Sequence, residues 1–122
     1  MPIHARILIV EDDPDTAHSL RAMLEDMGHV STVAERGDDA LHLLERSEFD
    51  LIISDVLMPG MTGIDFAKRA RVIRPSTPIV LVTGDAEAME SVLAGGAVAL
   101  IKPYSAETLR QVLGETLENR PA

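Results

Sequence analysis

At 122 residues and 13.2 kDa, with 46% apolar residues and a mean hydropathy of +0.11, the chain has material for one packed core and not for two independent domains. Acidic residues outnumber basic ones 20 to 11, a formal charge of −9, which opposes direct binding to nucleic acid or to an anionic membrane. The absence of cysteine excludes a disulfide scaffold, a thiolate nucleophile and a thiolate zinc site, so any metal must be held by oxygen or histidine.

Short Ile- and Val-rich runs alternate five times with longer amphipathic stretches, the pattern of a parallel sheet covered by helices on both faces. The first run is Arg6-Ile7-Leu8-Ile9-Val10. Asp13 as N-cap with Pro14 at the first helical position starts a helix whose buried face is Ala17, Leu20, Leu24 and Met27, and Gly28 ends it. His29 to Ala34 reads as a second strand, its polar alternation suiting a sheet edge, and Gly37 opens a helix carrying Ala40, Leu41, Leu43 and Leu44. Asp50 to Asp55 is apolar almost to its end, as a central strand buried on both faces must be.

Met58 to Gly63 forms a loop, and a helix from Ile64 to Ile73 is stopped by Pro75. Pro78 to Thr83 is the fourth strand, Gly84-Asp85 its turn, and a short helix from about Ala86 to Ala94 stops at Gly95-Gly96. The fifth strand, Ala97 to Ile101, is also the longest unbroken apolar run, far short of the ~20 residues of a membrane helix. No signal-peptide stretch follows Met1 to Arg6, so the expected address is the cytoplasm. Lys102-Pro103 breaks the strand before a last helix from about Ser105 to Asn119, and Arg120-Pro121-Ala122 reads as a frayed tail.

In an open parallel sheet, ligands bind beyond the carboxyl ends of the strands, near the point where strand order reverses. Four of the five strands end there in polar chemistry: Glu11-Asp12-Asp13, Asp55, Thr83 and Lys102. Each has a plainer explanation alone. Asp13 serves as the helix cap, Glu11 and Asp12 as loop acids, Asp55 as a turn cap, Thr83 as a β-branched strand residue and Lys102 as a solvated lysine. Their joint placement on successive strand ends favours one shared hollow. Three crowded carboxylates repel unless a cation joins them, and hard oxygen ligands suit Mg²⁺ or Mn²⁺. Such a metal would hold an incoming phosphoryl group against a carboxylate nucleophile, with Thr83 and Lys102 on the phosphoryl oxygens. Asp55 is the expected nucleophile because it ends the central strand.

The segments Ile7 to Pro14, Asp50 to Gly63, Val82-Thr83-Gly84 and Leu100-Ile101-Lys102-Pro103-Tyr104, in this order, resemble the receiver domain of two-component response regulators over about Arg6 to Leu117. The resemblance implies a flavodoxin-like, doubly wound α/β fold, a five-stranded parallel sheet of order 2-1-3-4-5. It implies that Asp55 is the phosphoacceptor, Asp12 a direct Mg²⁺ ligand, Glu11 a supporting acid and the backbone carbonyl of Leu57 a further ligand. Thr83 and Lys102 match the family's switch hydroxyl and phosphate-binding lysine, and the Lys-Pro bond of such domains is commonly cis, against a generic ~5%.

The implied function is to take a phosphoryl group from a histidine kinase or histidine phosphotransfer protein and signal to an output partner by a conformational switch. Such a chain catalyses its own phosphorylation and dephosphorylation without being a dedicated enzyme. Two departures stand out. Ala99 occupies the position three before the lysine where the family usually has an aromatic residue or histidine, and only 19 positions separate Thr83 from Lys102, which shortens the fourth helix by about one turn. These leave open a phosphorylation-independent interaction module with the same fold. A Mg²⁺-dependent phosphohydrolase is a third reading, opposed by Leu57, which stands where related hydrolases carry a second Asp.

Overall fold

The computed structural model describes residues 4–119; the tail expected at Arg120-Pro121-Ala122 lies outside them. Strands β1 (Arg6–Val10), β2 (Val30–Ala34), β3 (Leu51–Asp55), β4 (Ile79–Thr83) and β5 (Val98–Ile101) form one parallel sheet of order β2-β1-β3-β4-β5. Helices α1 (Pro14–Asp26), α2 (Gly37–Arg46), α3 (Gly63–Ile73), α4 (Ala86–Ala94) and α5 (Ala106–Glu118) connect and follow them. This is the doubly wound α/β architecture expected from the sequence, with the five strands and five helices within a residue or two of their predicted bounds. β2, β3, β4 and β5 each begin one residue later than predicted, and for β2 and β3 the residue before the strand has another task. Just before them, His29 Nδ1 accepts from the Ala5 N–H at 3.0 Å, and Asp50 Oδ2 accepts from the Arg6 N–H at 2.8 Å, so both side chains serve the backbone of β1.

The period-2 alternation of strand side chains divides the core into two layers. Leu8, Val10, Ile52 and Leu81 pack under α2, α3 and α4 against Ala40, Leu44, Phe66 and Val92. Ile7, Ile9, Ile53 and Val80 pack under α1 and α5 against Leu20, Leu24, Leu109 and Leu113. Each fully buried Leu or Ile contributes roughly 1.5–3 kcal/mol relative to exposure, which explains why β1, β3 and β4 are near-continuous apolar runs. β2 is an edge strand, as its polar alternation suggested, and Val30 at its start is 66% exposed.

Local chemistry sets the helix starts. Asp13, Thr62, Asp85 and Ser105 are N-caps whose side chains accept from the backbone N–H of Thr16, Asp65, Glu87 and Thr108, each worth about 1 kcal/mol. Gly28, just past α1, has φ +91°, a conformation that favours glycine. Because β1 leads outward to β2 on one side and β3 to β4 on the other, strand order reverses between β1 and β3. The carboxyl ends of those two strands therefore border the crevice that the fold itself creates.

Candidate functional site

β1 and β3 end side by side, so the residues that follow them meet. One carboxylate oxygen from each of Glu11, Asp12 and Asp55 lies within 4.8 Å of the others. β5 ends at the same edge and sends Lys102 Nζ to 3.1 Å from Asp55 Oδ1 and 3.4 Å from Oδ2. Glu11 is only 5% exposed, and its Oε2 is buried without a hydrogen-bond partner. Burial first, and then a hydrogen bond shared with Asp55 and the charge of that neighbour, push its carboxyl up from 4.5 to about 8, against the opposing pull of Lys102. A buried carboxyl with an orphaned oxygen, next to two more acids, is a donor set that a hard divalent cation would complete.

The Asp55 backbone is held from both sides. The Val56 N–H donates to the Val82 carbonyl at 3.0 Å, and the Gly63 N–H donates to the Val56 carbonyl at 2.7 Å. A Cβ added at Gly63 would stand 2.1 Å from the Asp55 carbonyl oxygen, so only glycine lets α3 start this close to β3. Leu57, two residues beyond Asp55, turns its side chain outward and is 76% exposed. Behind the carboxylates is a hollow of about 20 Å³, the room of a single water, lined by Glu11, Asp55 and Lys102 together with Thr16, Leu20 and Tyr104. Burial raises the Tyr104 phenol pKa, and the charges of Asp55 and Glu11 raise it further.

Thr83 stands apart from this group. It is 3% exposed, and its hydroxyl accepts from the Asp85 N–H at 3.0 Å, inside the β4–α4 turn. Among the described residues it makes no hydrogen bond to the acids. The alternation of strand side chains explains this. Leu81, two residues earlier, packs under α2 to α4, whereas Ile53, two before Asp55, packs under α1 and α5. The two strands thus present Thr83 and Asp55 on opposite faces of the sheet edge. The backbones are nonetheless joined, since the Lys102 N–H donates to the Thr83 carbonyl at 2.9 Å, and the Lys102–Pro103 peptide bond is cis.

Asp13 caps α1 and lies outside the acidic cluster. Ala99 pairs with Leu81 in the β4–β5 register and is packed against the layer under α2 to α4. Two residues of the site carried no separate signal in the sequence. Tyr104 was legible only as part of a motif, and Gly63 only as the end of a loop.

The family model for the response regulator receiver domain matches residues 7–114. The chemotaxis protein CheY of Pseudomonas aeruginosa is 32% identical over 119 residues, covering 93% of this chain and 96% of that protein. The sensory transduction protein RegX3 of Mycolicibacterium smegmatis is 36% identical over 95% of this chain, which spans 54% of that relative's length. Other curated relatives are also longer, this chain spanning 26% of the transcriptional regulatory protein ZraR of Salmonella typhimurium. Among solved structures, a putative response regulator from Chloroflexus aurantiacus superposes with a TM-score of 0.90 at 30% identity, covering 96% of this chain and all of that one. The receiver domain of the sensor histidine kinase PA1611 of Pseudomonas aeruginosa, with a magnesium ion coordinated in its active site cleft, superposes at 0.87 with 26% identity, covering 96% of this chain and 100% of its own. A sheet of order 2-1-3-4-5 with acids at its switch point and a family match from residue 7 to residue 114 lead to one assignment: the chain belongs to the response regulator receiver domain family.

Proposed function

We propose that this chain is a phosphoacceptor that receives a phosphoryl group on Asp55 and signals through α4. The observation that carries this is the Asp55 carboxylate, 15% exposed, held 3.1 Å from Lys102 Nζ inside the Glu11–Asp12–Asp55 group. The donor would be a phosphohistidine of a histidine kinase or histidine phosphotransfer protein, a reading supported by the sensory and chemotaxis relatives and by a structural neighbour that is itself part of a histidine kinase. An Asp55 carboxylate oxygen forms the new O–P bond as the P–N bond breaks. The electron pair returns to the imidazole nitrogen, which is protonated from solvent.

Lys102, already paired with the acceptor oxygens, would transfer its ammonium to the phosphoryl oxygens as charge arrives there. Asp12, Asp55 and the Leu57 carbonyl would hold Mg²⁺ or Mn²⁺, with Glu11 as the supporting acid. When bound, the metal supplies charge neutralisation for the phosphoryl oxygens. Thr83 reaches those oxygens only by giving up the Asp85 N–H that it now accepts, a bond that belongs to the first turn of α4. Recruiting it therefore loosens the start of that helix. Two or three new charge-assisted hydrogen bonds at ~1.5–3 kcal/mol each have the size needed to move a switch from 1:99 to 99:1, about 5.5 kcal/mol. With Ala99 in place of a ring, the helix and its turn carry the change themselves. We read residues 6 to 117 as one receiver unit working in the cytoplasm.

Intact-mass measurement after incubation with acetyl phosphate and Mg²⁺ tests the assignment. A single phosphoryl adduct on the wild type, absent from Asp55→Asn, is expected. Equal labelling of the variant would overturn Asp55 as acceptor, and no labelling of either would favour a phosphorylation-independent interaction module.

A further inference from the structure

The two strands that flank β1 are each entered through a residue whose side chain serves the β1 backbone. For β3 that residue is Asp50, a carboxylate accepting from the Arg6 N–H at 2.8 Å, and for β2 it is His29, an imidazole accepting from the Ala5 N–H at 3.0 Å. Ala5 is 2% exposed, and among the described residues His29 Nδ1 is the one acceptor of its N–H. A backbone N–H only donates, so His29 Nδ1 must be bare and the ring proton must sit on Nε2. The Val30 N–H completes the join by donating to the Ala5 carbonyl at 3.0 Å, and the His29 N–H donates to the Leu24 carbonyl of α1 at 2.9 Å. β2 has a sheet neighbour on one side only, so the sheet holds its entry through β1 alone.

A second imidazole stands beside the first. The His4 ring lies against Gly28, where an added Cβ would meet its Nδ1 and Cε1 at 3.3 Å, and its Nδ1 is 2.7 Å from the Gly28 carbonyl. A carbonyl only accepts, so His4 carries a proton on Nδ1 and keeps this bond whether its ring is neutral or charged. His29 has no such freedom. A proton on its Nδ1 would face the Ala5 N–H, donor against donor, and leave a buried amide without an acceptor. The surroundings oppose that proton as well, since burial, and then the charge of His4, hold the His29 ring below the usual histidine value of 6.5. Among the described residues no carboxylate is set against the ring. On α1, Glu25 and Asp26 are exposed, Glu25 pairing with Arg21 at 3.4 Å; on β1 the Arg6 guanidinium lies over the Phe49 ring, and Asp50 serves the Arg6 N–H on the β3 side.

We infer that His29 and His4 form an acid-sensitive clasp between the entry to β2 and the start of β1, closed while the His29 ring is neutral and opened when its Nδ1 takes a proton. Protonation turns the one acceptor of the clasp into a donor, and a charged His4 ring repels the charged His29 ring further. Because folding lowers the proton affinity of His29, what the clasp contributes is complete above about pH 6.5 and is lost as pH falls through the lower folded value. Glu11, just past the other end of β1, has its proton affinity raised, so the two ends of the strand answer pH in opposite senses. Both histidines lie at the amino end of β1 and the acidic cluster at its carboxyl end, so the clasp does not depend on Asp55 being the acceptor.

Ring proton–nitrogen correlation spectra and backbone amide spectra of the full chain, from about pH 7.5 down to about pH 5, test the clasp. At neutral pH His29 is expected as the Nε2–H tautomer. Its titration midpoint is expected below 6.5, with the Ala5 amide shift following the same midpoint. His4→Gln, which removes the neighbouring charge, should raise that midpoint. In His29→Asn the side-chain oxygen takes the place of Nδ1 and accepts without titrating. Near pH 5, amide exchange at Ala5 should therefore be at least about threefold faster in the wild type than in this variant. The tautomer and the midpoint are read on the wild type alone, so they decide even if His29→Asn is less stable. An Nδ1–H tautomer at neutral pH, a midpoint at or above 6.5, a ring still neutral near pH 5, or an Ala5 amide that does not follow the ring would each overturn the clasp. So would a midpoint unmoved by His4→Gln, or equal exchange in the wild type and a folded His29→Asn.

Discussion

β3 and β4 are neighbours in the sheet and both end at its carboxyl edge, yet they are finished in opposite ways. After Asp55 the backbone is clamped by hydrogen bonds from Val56 and Gly63, and α3 starts so close that a methyl group at Gly63 would meet the Asp55 carbonyl at 2.1 Å. After Thr83 the chain passes through Gly84, where an added Cβ has nothing nearer than 4.0 Å, into the shortest helix of the fold. What holds that turn is the Lys102 N–H donating to the Thr83 carbonyl, one hydroxyl accepting from the Asp85 N–H and one aspartate cap. The contrast teaches that the chemistry and its readout are placed on separate mechanical footings. The acceptor carboxylate sits on backbone closely packed against the start of α3, whereas the segment that would answer it is held by a few hydrogen bonds with open space at Gly84.

The largest effect expected on the rigid side comes from the proton on Glu11. The unfolded carboxyl titrates near 4.5, and burial beside Asp55 raises it to about 8 in the folded protein. Between those values the folded state holds a proton that the unfolded chain has lost. The stability from this group is therefore complete below about pH 4.5 and disappears as pH rises through 8. Melts of metal-free protein should show a loss on the order of a few kcal/mol across that interval, with a flatter profile for Glu11→Gln. Mg²⁺ should restore most stability at the alkaline end, where Glu11 has lost its proton beside its acidic neighbours. A profile unchanged by Glu11→Gln would place the proton elsewhere.

Gly63→Ala should come next. The new methyl group meets backbone rather than a flexible side chain, so the cost is about 2 kcal/mol or more, and phosphoryl uptake should fall with it because Asp55 is displaced. Denaturant melts and intact-mass labelling of the same sample measure both. Stability lost with uptake preserved would show that the clamp does not position the carboxylate.

On the Thr83 side, Thr83→Val removes the acceptor for the Asp85 N–H, worth about 1 kcal/mol. Amide exchange over Glu87 to Val92 should quicken roughly fivefold, while β3 amides stay unchanged. Equal quickening in both would erase the distinction between the two flanks. The smallest effect has the opposite sign. Gly114, in the middle of α5, has no neighbour within 4 Å of an added Cβ, so Gly114→Ala should gain about 0.5–1 kcal/mol from helix propensity alone. It isolates the cost at Gly63 as one of close approach.

The elements were legible from the residues because their causes are local. Strand runs, the Asp13-Pro14 start of α1, the Gly28 stop, the edge character of β2 and the shortness of α4 follow from periodicity, caps and breakers that act within a few positions. The strand ends that carry Glu11, Asp12, Asp55 and Lys102 were legible for the same reason, and the structure brings those four together. Tertiary structure alone decided what depends on distances between elements far apart in sequence. Burial of Glu11 beside Asp55 sets its proton affinity, and the approach of α3 to β3 makes a loop glycine indispensable. The turn of Thr83 away from the acids arises in the same way, from alternation on a strand packed between its neighbours. In each case the deciding terms, packing and electrostatics between elements far apart in sequence, are ones that no window of adjacent residues contains.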